Sequence, residues 1–254
     1  MFSQIAERHL YTIIRLHNQE RSSSSVQLTP VQLLKLLTDS PHIASYIKCV
    51  RIVIGSVGIF RWLMTRSIND EDIGSVLRML PKVSEVNLTA RQHSKTSWQN
   101  FHQTFQSSIA RIFQTSFLTC VFINNIDAFP LNLLNDCVSL KSLSLCGTFV
   151  FDNPDVKLQS SINSFKTEPG LEMLSLRCNT SNSLRNIVSW FHSEGSPTLS
   201  TLISLRLSTH RDQDYPHFIC ILNDCSPSLR NLELHLGSEG QWYMFNTSNG
   251  SRLV

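Results

Sequence analysis

Several signatures of common protein classes are missing from this sequence. Its longest apolar stretches, such as residues 50–60, are interrupted by polar residues and glycines and fall short of the ~20 residues that span a bilayer. The start, Met1-Phe2-Ser3-Gln4, soon meets Glu7 and Arg8 and lacks the apolar core of a secretory signal. We therefore expect an intracellular protein, cytoplasmic or nuclear, without a membrane partner.

Charge of one sign is also scarce. The 254 residues include 22 basic and 19 acidic side chains, scattered along the chain, and the formal net charge is +3. No block of lysine and arginine is present to follow a phosphate backbone. We therefore expect no nucleic-acid partner.

The cysteines and histidines lack the spacing of a metal site. Seven cysteines stand at irregular intervals without a Cys-x-x-Cys pair, and the nine histidines show no ligand spacing. An odd number of cysteines in an intracellular protein is typical of reduced structural thiols rather than of a disulfide framework. We expect no metal and no cofactor.

Motifs of the common enzyme classes are absent as well. The sequence contains no Gly-x-Gly-x-x-Gly, Walker loop, Gly-x-Ser-x-Gly or His-Glu-x-x-His motif. His210-Arg211-Asp212 is similar to a kinase catalytic loop but lacks the accompanying kinase motifs. Gly55-Ser56-Val57-Gly58 is better explained as a turn than as a phosphate cradle. The sequence predicts no enzyme, and a site assembled from distant residues is the alternative that stays open.

What the sequence does contain is an internal repeat. The pattern Leu-x-x-Leu-x-Leu occurs four times, whereas chance gives about one copy or fewer in a chain with this leucine content. The four copies begin at Leu140, Leu171, Leu202 and Leu229. Three mixed apolar copies begin upstream at Ile47, Val83 and Leu118. We call each copy a triplet.

The spacing within each triplet predicts a short strand. The last two apolar residues lie two positions apart, so their side chains point to the same face of the strand, and the first anchors the turn before it. Segments with helical spacing separate the triplets at residues 70–80, 98–114, 131–137, 184–194 and 217–224. Strands and helices should therefore alternate along the chain.

Repeated strand and helix units bury their apolar faces by stacking on one another. Successive triplets start 22 to 36 residues apart, around or above the ~20–29 residues of regular leucine-rich repeats. We predict an α/β fold, an irregular leucine-rich-repeat solenoid with a parallel strand row on the concave face and helices outside. A globular α/β domain with one twisted sheet is the alternative, although its strands rarely share one leucine signature.

The N-terminal part differs in composition from the repeats. Residues 4–16 are interpreted as a helix or a short amphipathic lead, and Arg21 with the four serines after it has the composition of a linker. Thr29 as N-cap and Pro30 at the first helical position open a helix that Ser40-Pro41 ends. We predict an N-terminal lead over residues 1–27 and a leucine-rich-repeat-like domain over residues 28–254.

One stretch of the chain reads Leu33-Leu34-x-Leu36-Leu37-x-x-Ser40-Pro41-His42-Ile43-Ala44-x-Tyr46-Ile47-x-x-Val50-x-Ile52. It resembles the segment that joins the F-box to the repeats in fungal F-box proteins. Leu80-Pro81-x-Val83 and Asn135-Asp136-Cys137-x-x-Leu140 are similar to repeat starts of that family, so the resemblance covers most of residues 28–236. Arg8-His9-Leu10-Tyr11-x-x-Ile14 resembles the sequence that closes an F-box, while the rest of that module is missing.

The resemblance implies a protein-protein interaction module that recognises substrates for an F-box type ubiquitin ligase. Its partner would be an unknown protein substrate, with the ligase adaptor as a second partner if an F-box lies upstream. The alternative is a free-standing scaffold or degenerate fragment with no role in a ubiquitin ligase.

In the predicted strands, the residues between the buried positions face the concave surface. The candidate partner-binding residues are Arg51, Asn87, Phe122, Asn124, Arg177, Arg206, Glu233 and His235. The arginines can hold acidic or phosphorylated groups through forked hydrogen bonds, and solvated surface charge is the plainer interpretation. The aromatic Phe122 either binds a partner or is covered by a loop.

Overall fold

The computed structural model describes residues 2–17, 29–54, 68–91, 96–151, 170–178, 180–209, 211–236 and 241–246. The chain forms two compact units, Met1–Asp127 and Ala128–Val254. Each unit is of mixed α/β structure and contains a sheet of parallel strands. The α/β class predicted from the sequence is confirmed.

The described part of the first unit has four α-helices and a parallel sheet. The helices are α1 (Phe2–Tyr11), α2 (Pro30–Asp39), α3 (Ile68–Arg78) and α4 (Gln103–Phe113). The strands are β1 (Ile13–His17), β2 (Cys49–Ile54), β3 (Glu85–Ala90), β4 (Thr96–Ser97), β5 (Cys120–Asn124) and β6 (Ile126–Asp127). Strands β1, β2, β3 and β5 pair side by side in that order, all parallel, and β4 pairs with β6. Short 3-10 helices cover Pro41–Ser45 and Trp98–Asn100.

The described part of the second unit has the same kind of sheet. Its helices are α5 (Ser181–Phe191) and α6 (Tyr215–Cys225), with 3-10 helices at Leu131–Asp136 and Asp212–Asp214. The strands are β7 (Phe129–Pro130), β8 (Ser142–Gly147), β9 (Phe149–Val150), β10 (Met173–Cys178), β11 (Ser204–Thr209), β12 (Asn231–Leu236) and β13 (Gln241–Asn246). Strands β8, β10, β11 and β12 pair in parallel, β13 joins β12 antiparallel, and β7 pairs with β9.

Every triplet found in the sequence forms a strand in the predicted register. The second triplet residues lie opposite one another, as Leu174 lies between Leu143 and Leu205, and the first residue of each triplet is buried. Six leucines predicted to be buried are at most 2% exposed: Leu143, Leu145, Leu174, Leu176, Leu205 and Leu207. The prediction of seven strands is confirmed, and every pairing described between two of them is parallel.

The turn into each strand repeats one backbone contact. The carbonyl of the residue before a strand accepts hydrogen bonds from two successive amides at the start of the next strand. The residues whose carbonyls do so are Thr12, Lys48 and Ser84 in the first unit and Lys141, Glu172 and Ile203 in the second. Repeats of unequal length therefore share one local geometry, because the contact depends on the strand starts and not on the segments between them.

Most predicted helices are present, and two segments include 3-10 helices: residues 98–114 contain the 3-10 helix Trp98–Asn100 before α4, and the other segment is residues 131–137. Thr29 forms a capping box with Gln32 and Pro30 opens α2, as predicted. Residues 131–137, predicted to be helical, form a 3-10 helix instead of an α-helix. Two of its apolar residues, Leu131 and Leu134, are fully buried, which fits the i and i+3 stacking of a 3-10 turn.

Six of the thirteen described strands were not predicted; four have only two residues each, and the two longer ones are β1 and β13. The predicted helical lead over residues 4–16 ends at Tyr11, and Ile13–His17 forms β1. Ile14 and Leu16 are buried with a period of two, which favours a strand over a helix. The C-terminal β13 was not predicted, because an antiparallel strand carries no triplet.

Candidate functional site

The candidate site of each unit is the open face of its parallel sheet. In every triplet strand the buried residues alternate with residues that are mostly half-buried or exposed. All eight candidate residues from the sequence stand at these alternate positions. We call the resulting surfaces the open faces of the first and second units.

In the first unit, the open face carries two arginines in register. Arg15 on β1 lies directly opposite Arg51 on β2. The Arg51 guanidinium contacts the Glu85 carboxylate, with 3.6 Å between Nη2 and Oε1, while its own buried Nε has no hydrogen-bond partner. Like charges opposite one another repel, so a single carboxylate only partly balances this pair.

The rest of the first open face is uncharged. Asn87 lies opposite Arg51 on one side and Phe122 on the other. The Asn87 side-chain oxygen accepts a hydrogen bond of 2.7 Å from the Thr89 hydroxyl, which fixes its orientation. Phe122 and Asn124 are half-buried. This arrangement offers polar and aromatic contact area next to the arginine pair.

In the second unit, the open face contains a closely bonded ion pair. Arg206 and Glu233 are directly opposite in the register of β11 and β12, and Arg206 Nε donates to Glu233 Oε2 at 2.6 Å. Two residues further along the same strands, on the same face of the sheet, Ser208 Oγ and His235 Nδ1 are 3.1 Å apart. Three candidate side chains, Arg206, Glu233 and His235, are thus held by bonds within the sheet.

Arg177 differs from the other two predicted arginine anchors. It is exposed at the end of β10, where it lies opposite Cys146 and Ser208. Within the described residues it makes no ion pair, whereas Arg51 and Arg206 each contact a carboxylate. Arg177 is therefore the predicted anchor whose positive charge is most available to a partner.

Sequence reasoning missed Arg15, which is exposed and in register with Arg51. The available signal was the pair Ile14-x-Leu16, which repeats the second and third positions of a triplet around Arg15. Tyr11 occupies the first position, where every recognised triplet has an aliphatic residue. Because its first residue is aromatic, this additional triplet was not predicted from the sequence.

None of the seven cysteines forms a disulfide. Burial raises the thiol pKa of four of them, Cys49, Cys137, Cys178 and Cys225. Burial raises the pKa of the Cys49 thiol to about 11, with a further rise from the Glu85 carboxylate, and burial raises that of Cys178 to about 12. A thiol with a raised pKa carries little of the thiolate needed for nucleophilic attack or metal binding.

The structure describes only part of the two enzyme-like sequence motifs. Arg211 and Asp212 of the kinase-like tripeptide are exposed, while His210 and Gly55–Gly58 lie outside the described residues.

In the part of the chain that the structure describes, no three His, Cys, Asp or Glu side chains are grouped so that they could hold a metal. None of the described helices has the length and apolar character needed to cross a bilayer. No protein-family model, curated protein or solved structure matches the chain.

Proposed function

We propose that this chain is a protein-binding module whose two open sheet faces bind a partner protein. The observation that carries the proposal is the row of polar, charged and aromatic side chains that successive parallel strands present on each open face. Aromatic and arginine side chains are enriched in the cores of protein interfaces, where a few residues contribute most of the binding energy. Arg15, Phe122 and Arg177 are the side chains expected to contribute most.

The repeated turn geometry supports an irregular leucine-rich-repeat solenoid as the architecture of this module. In such a solenoid the parallel strands line the concave face and the helices lie outside. The same backbone contact recurs at strand starts in both units despite unequal repeat lengths. A recurrent strand start with variable intervening segments is what an irregular repeat stack requires.

The resemblance to fungal F-box proteins supports substrate recognition for a ubiquitin ligase as the biological context. The residues that carry the resemblance include Leu33, Leu37, Ile43 and Ile47, which are buried in the first unit. They form α2, the following 3-10 helix and the turn before β2. The resembling segment is therefore part of the packed fold and leads directly into the first recognised triplet strand.

A scaffold without a ligase link is the second candidate function. The segment that resembles the end of an F-box, Arg8 to Ile14, forms the end of α1 and the start of β1. Strand β1 pairs along its length with β2, so the last two residues of this segment belong to the repeat sheet. We therefore expect this chain to bind the ligase adaptor weakly or not at all. Stoichiometric co-purification with the adaptor would contradict this expectation.

Site-specific photo-crosslinking tests the open-face proposal. A crosslinking amino acid is placed at Ser175 on the open face, and at Ser189 on the exposed surface of α5 as a matched control. We expect a partner adduct from position 175 that disappears on Ala substitution of Arg15, Phe122 and Arg177, with a nearly unchanged melting temperature. An adduct from position 189 that survives the triple substitution would show that the partner binds the helices instead.

A further inference from the structure

Strand β1 lies at the edge of the first unit's sheet. It pairs with β2 over residues 13–17, and among the described residues no strand pairs with its other side. In the second unit, the last parallel strand, β12, is covered by the antiparallel β13 over six residue pairs. An edge strand presents a row of backbone N–H and C=O groups that can pair with another chain. The free side of β1 is therefore available for binding.

The backbone contact that recurs at strand starts lacks its acceptor at β1. At β2 the Cys49 amide donates to the Thr12 carbonyl of the turn before β1, at 3.1 Å. Ile13 is the equivalent residue of β1, since it lies opposite Cys49 in the register. In the described parts of the chain, no carbonyl accepts from the Ile13 amide. A parallel strand beside β1 would supply this carbonyl, as the turn before β1 does for β2.

Neither a proline nor a bulge protects this edge. Native sheets avoid unwanted edge pairing with such features or with charged residues. Strand β1 contains no proline, and its pairing with β2 advances one residue at a time without a bulge. Two large apolar side chains are exposed next to the edge, Leu10 at 73% and Ile13 at 50%. The exposed charge of Arg15 at the centre of β1 is thus the feature that determines which strands can pair here.

Arg15 favours an acidic neighbour. It lies directly opposite Arg51 on the β2 side, and the Glu85 carboxylate that contacts Arg51 belongs to β3. Among the described residues no carboxylate forms an ion pair with Arg15. Opposite charges at directly opposite positions of neighbouring strands attract, and like charges repel. An acidic residue opposite Arg15 on its free side would therefore offset the repulsion between the two arginines.

The same charge disfavours a second copy of this chain as the occupant of the edge. Two identical edge strands related by a two-fold axis pair in antiparallel, because the axis makes the contact self-complementary. Arg15 is the central residue of β1. Pairing over the full strand would place the arginines of the two copies opposite each other, which costs stability.

We propose that the free edge of β1 pairs in parallel with an extended segment of a partner protein that carries an acidic residue opposite Arg15. Backbone hydrogen bonds supply the affinity in such strand addition, and side chains supply the specificity. The residues that flank the acid are apolar, because they lie opposite the buried Ile14 and Leu16. The inference rests on the edge of the first unit's sheet and does not depend on binding at the open faces.

A synthetic segment tests the proposal on the full chain. The probe is a fluorescein-labelled decapeptide that contains Leu-Ser-Ser-Leu-Glu-Leu, and fluorescence polarisation measures its affinity. We expect saturable binding that weakens about threefold when the glutamate becomes glutamine and about tenfold when it becomes lysine. Absence of saturation, or equal affinities of the three peptides, would overturn the proposal.

Backbone pairing has a signature that a side-chain contact lacks. Successive amides of a paired strand face opposite neighbours, so the Ile13 and Arg15 amides face the free edge. Hydrogen exchange followed by NMR should show that the peptide slows exchange at both. N-methylation of the two leucines that flank the glutamate blocks the peptide amides that face β1 and should abolish binding, whereas N-methylation of the glutamate should not. Binding without protection of the Ile13 and Arg15 amides would contradict strand addition.

A charge exchange identifies the contact with Arg15. Arg15→Glu should weaken binding of the glutamate peptide about tenfold and strengthen binding of the lysine peptide. Arg185→Glu, at an exposed residue of α5 in the second unit, makes the same change in net charge and should leave both affinities unchanged. If Arg15→Glu fails to fold, Arg15→Gln decides, with an expected loss of about threefold for the glutamate peptide. Equal effects at positions 15 and 185, or sedimentation of the full chain as a dimer that the peptide dissociates, would overturn the proposal.

Discussion

The two units reach the same strand geometry from different residues. The triplets of the first unit mix isoleucine, valine and leucine, as in Val83-x-x-Val86-x-Leu88, whereas those of the second are all leucine. Val86 and Leu88 are fully buried, and so is Leu207. In both units the triplet strands pair in parallel, and residues at the same triplet position lie opposite one another. The positions of the apolar residues therefore determine the strand register, and their side-chain shape is secondary.

The largest effect is expected from cavities at equivalent triplet positions in the two units. Leu176→Ala in the second unit and Ile52→Ala in the first each remove a side chain that is at most 1% exposed. Each should lower the free energy of unfolding by about 2–5 kcal/mol, because the packed neighbours cannot fill the space. Urea unfolding followed by circular dichroism measures both losses. Met173→Ala, at a side chain that is 50% exposed, is the control and should change stability little.

Equal losses would support the view that position matters more than residue type. A loss confined to Leu176→Ala would show instead that the mixed triplets of the first unit are loosely packed. Unchanged urea midpoints for both variants would contradict the burial of the triplets altogether.

The next effect concerns a hydrogen bond specific to the second unit. Trp190 is fully buried, and its indole Nε1 donates to Asn135 Oδ1 at 2.6 Å. Asn135→Ala leaves this donor unpaired, so we expect a loss of about 1–3 kcal/mol. The double variant with Trp190→Phe, which removes the donor, should lose less than the sum of the two single variants in the same urea experiment. Strict additivity would show that the hydrogen bond contributes nothing.

A smaller effect is expected where two helices of the first unit approach closely. A Cβ added to Gly74 of α3 would lie 2.8 Å from Thr104 Cγ2 and 2.9 Å from the Thr104 carbonyl carbon of α4. The Ser108 hydroxyl also donates to the Gly74 carbonyl at 2.9 Å. Gly74→Ala gains helix propensity of about 1 kcal/mol but must separate the helices, which costs about 1–3 kcal/mol. We expect a net loss of about 1 kcal/mol in the free energy of unfolding.

Thermal unfolding of Gly74→Ala, alone and combined with Thr104→Ser, tests the contact. Removing Thr104 Cγ2 relieves the nearer clash and leaves the backbone one, so partial recovery is expected. A Gly74→Ala variant more stable than the parent would show that α3 and α4 are not closely packed at this point.

The sequence predicted the strands well because a triplet is a local pattern with a fixed meaning. Strand β1 was not predicted, because the aromatic Tyr11 stands at the first triplet position. Strand β13 was not predicted, because it is antiparallel and carries no triplet. The pairing of Arg206 with Glu233 could be predicted from the sequence, since both residues occupy the same position in successive triplets. The contact between Arg51 and Glu85 could not be predicted from the sequence. The two residues are diagonal neighbours rather than direct partners in the strand register, so their contact depends on side-chain conformation.

The smallest effect distinguishes the ion pairs of the two open faces. Arg206 and Glu233 are directly opposite at 2.6 Å, whereas Arg51 and Glu85 are diagonal at 3.6 Å. Exposed ion pairs contribute about 0.2–1 kcal/mol, and close, well-aligned pairs lie at the upper end. A double-mutant cycle with Arg206→Met and Glu233→Gln should give a coupling energy of about 0.5 kcal/mol that falls as salt screens the charges. The cycle with Arg51→Met and Glu85→Gln should give a smaller value, and a larger coupling at Arg51 would contradict the expectation that the directly opposite pair is the stronger.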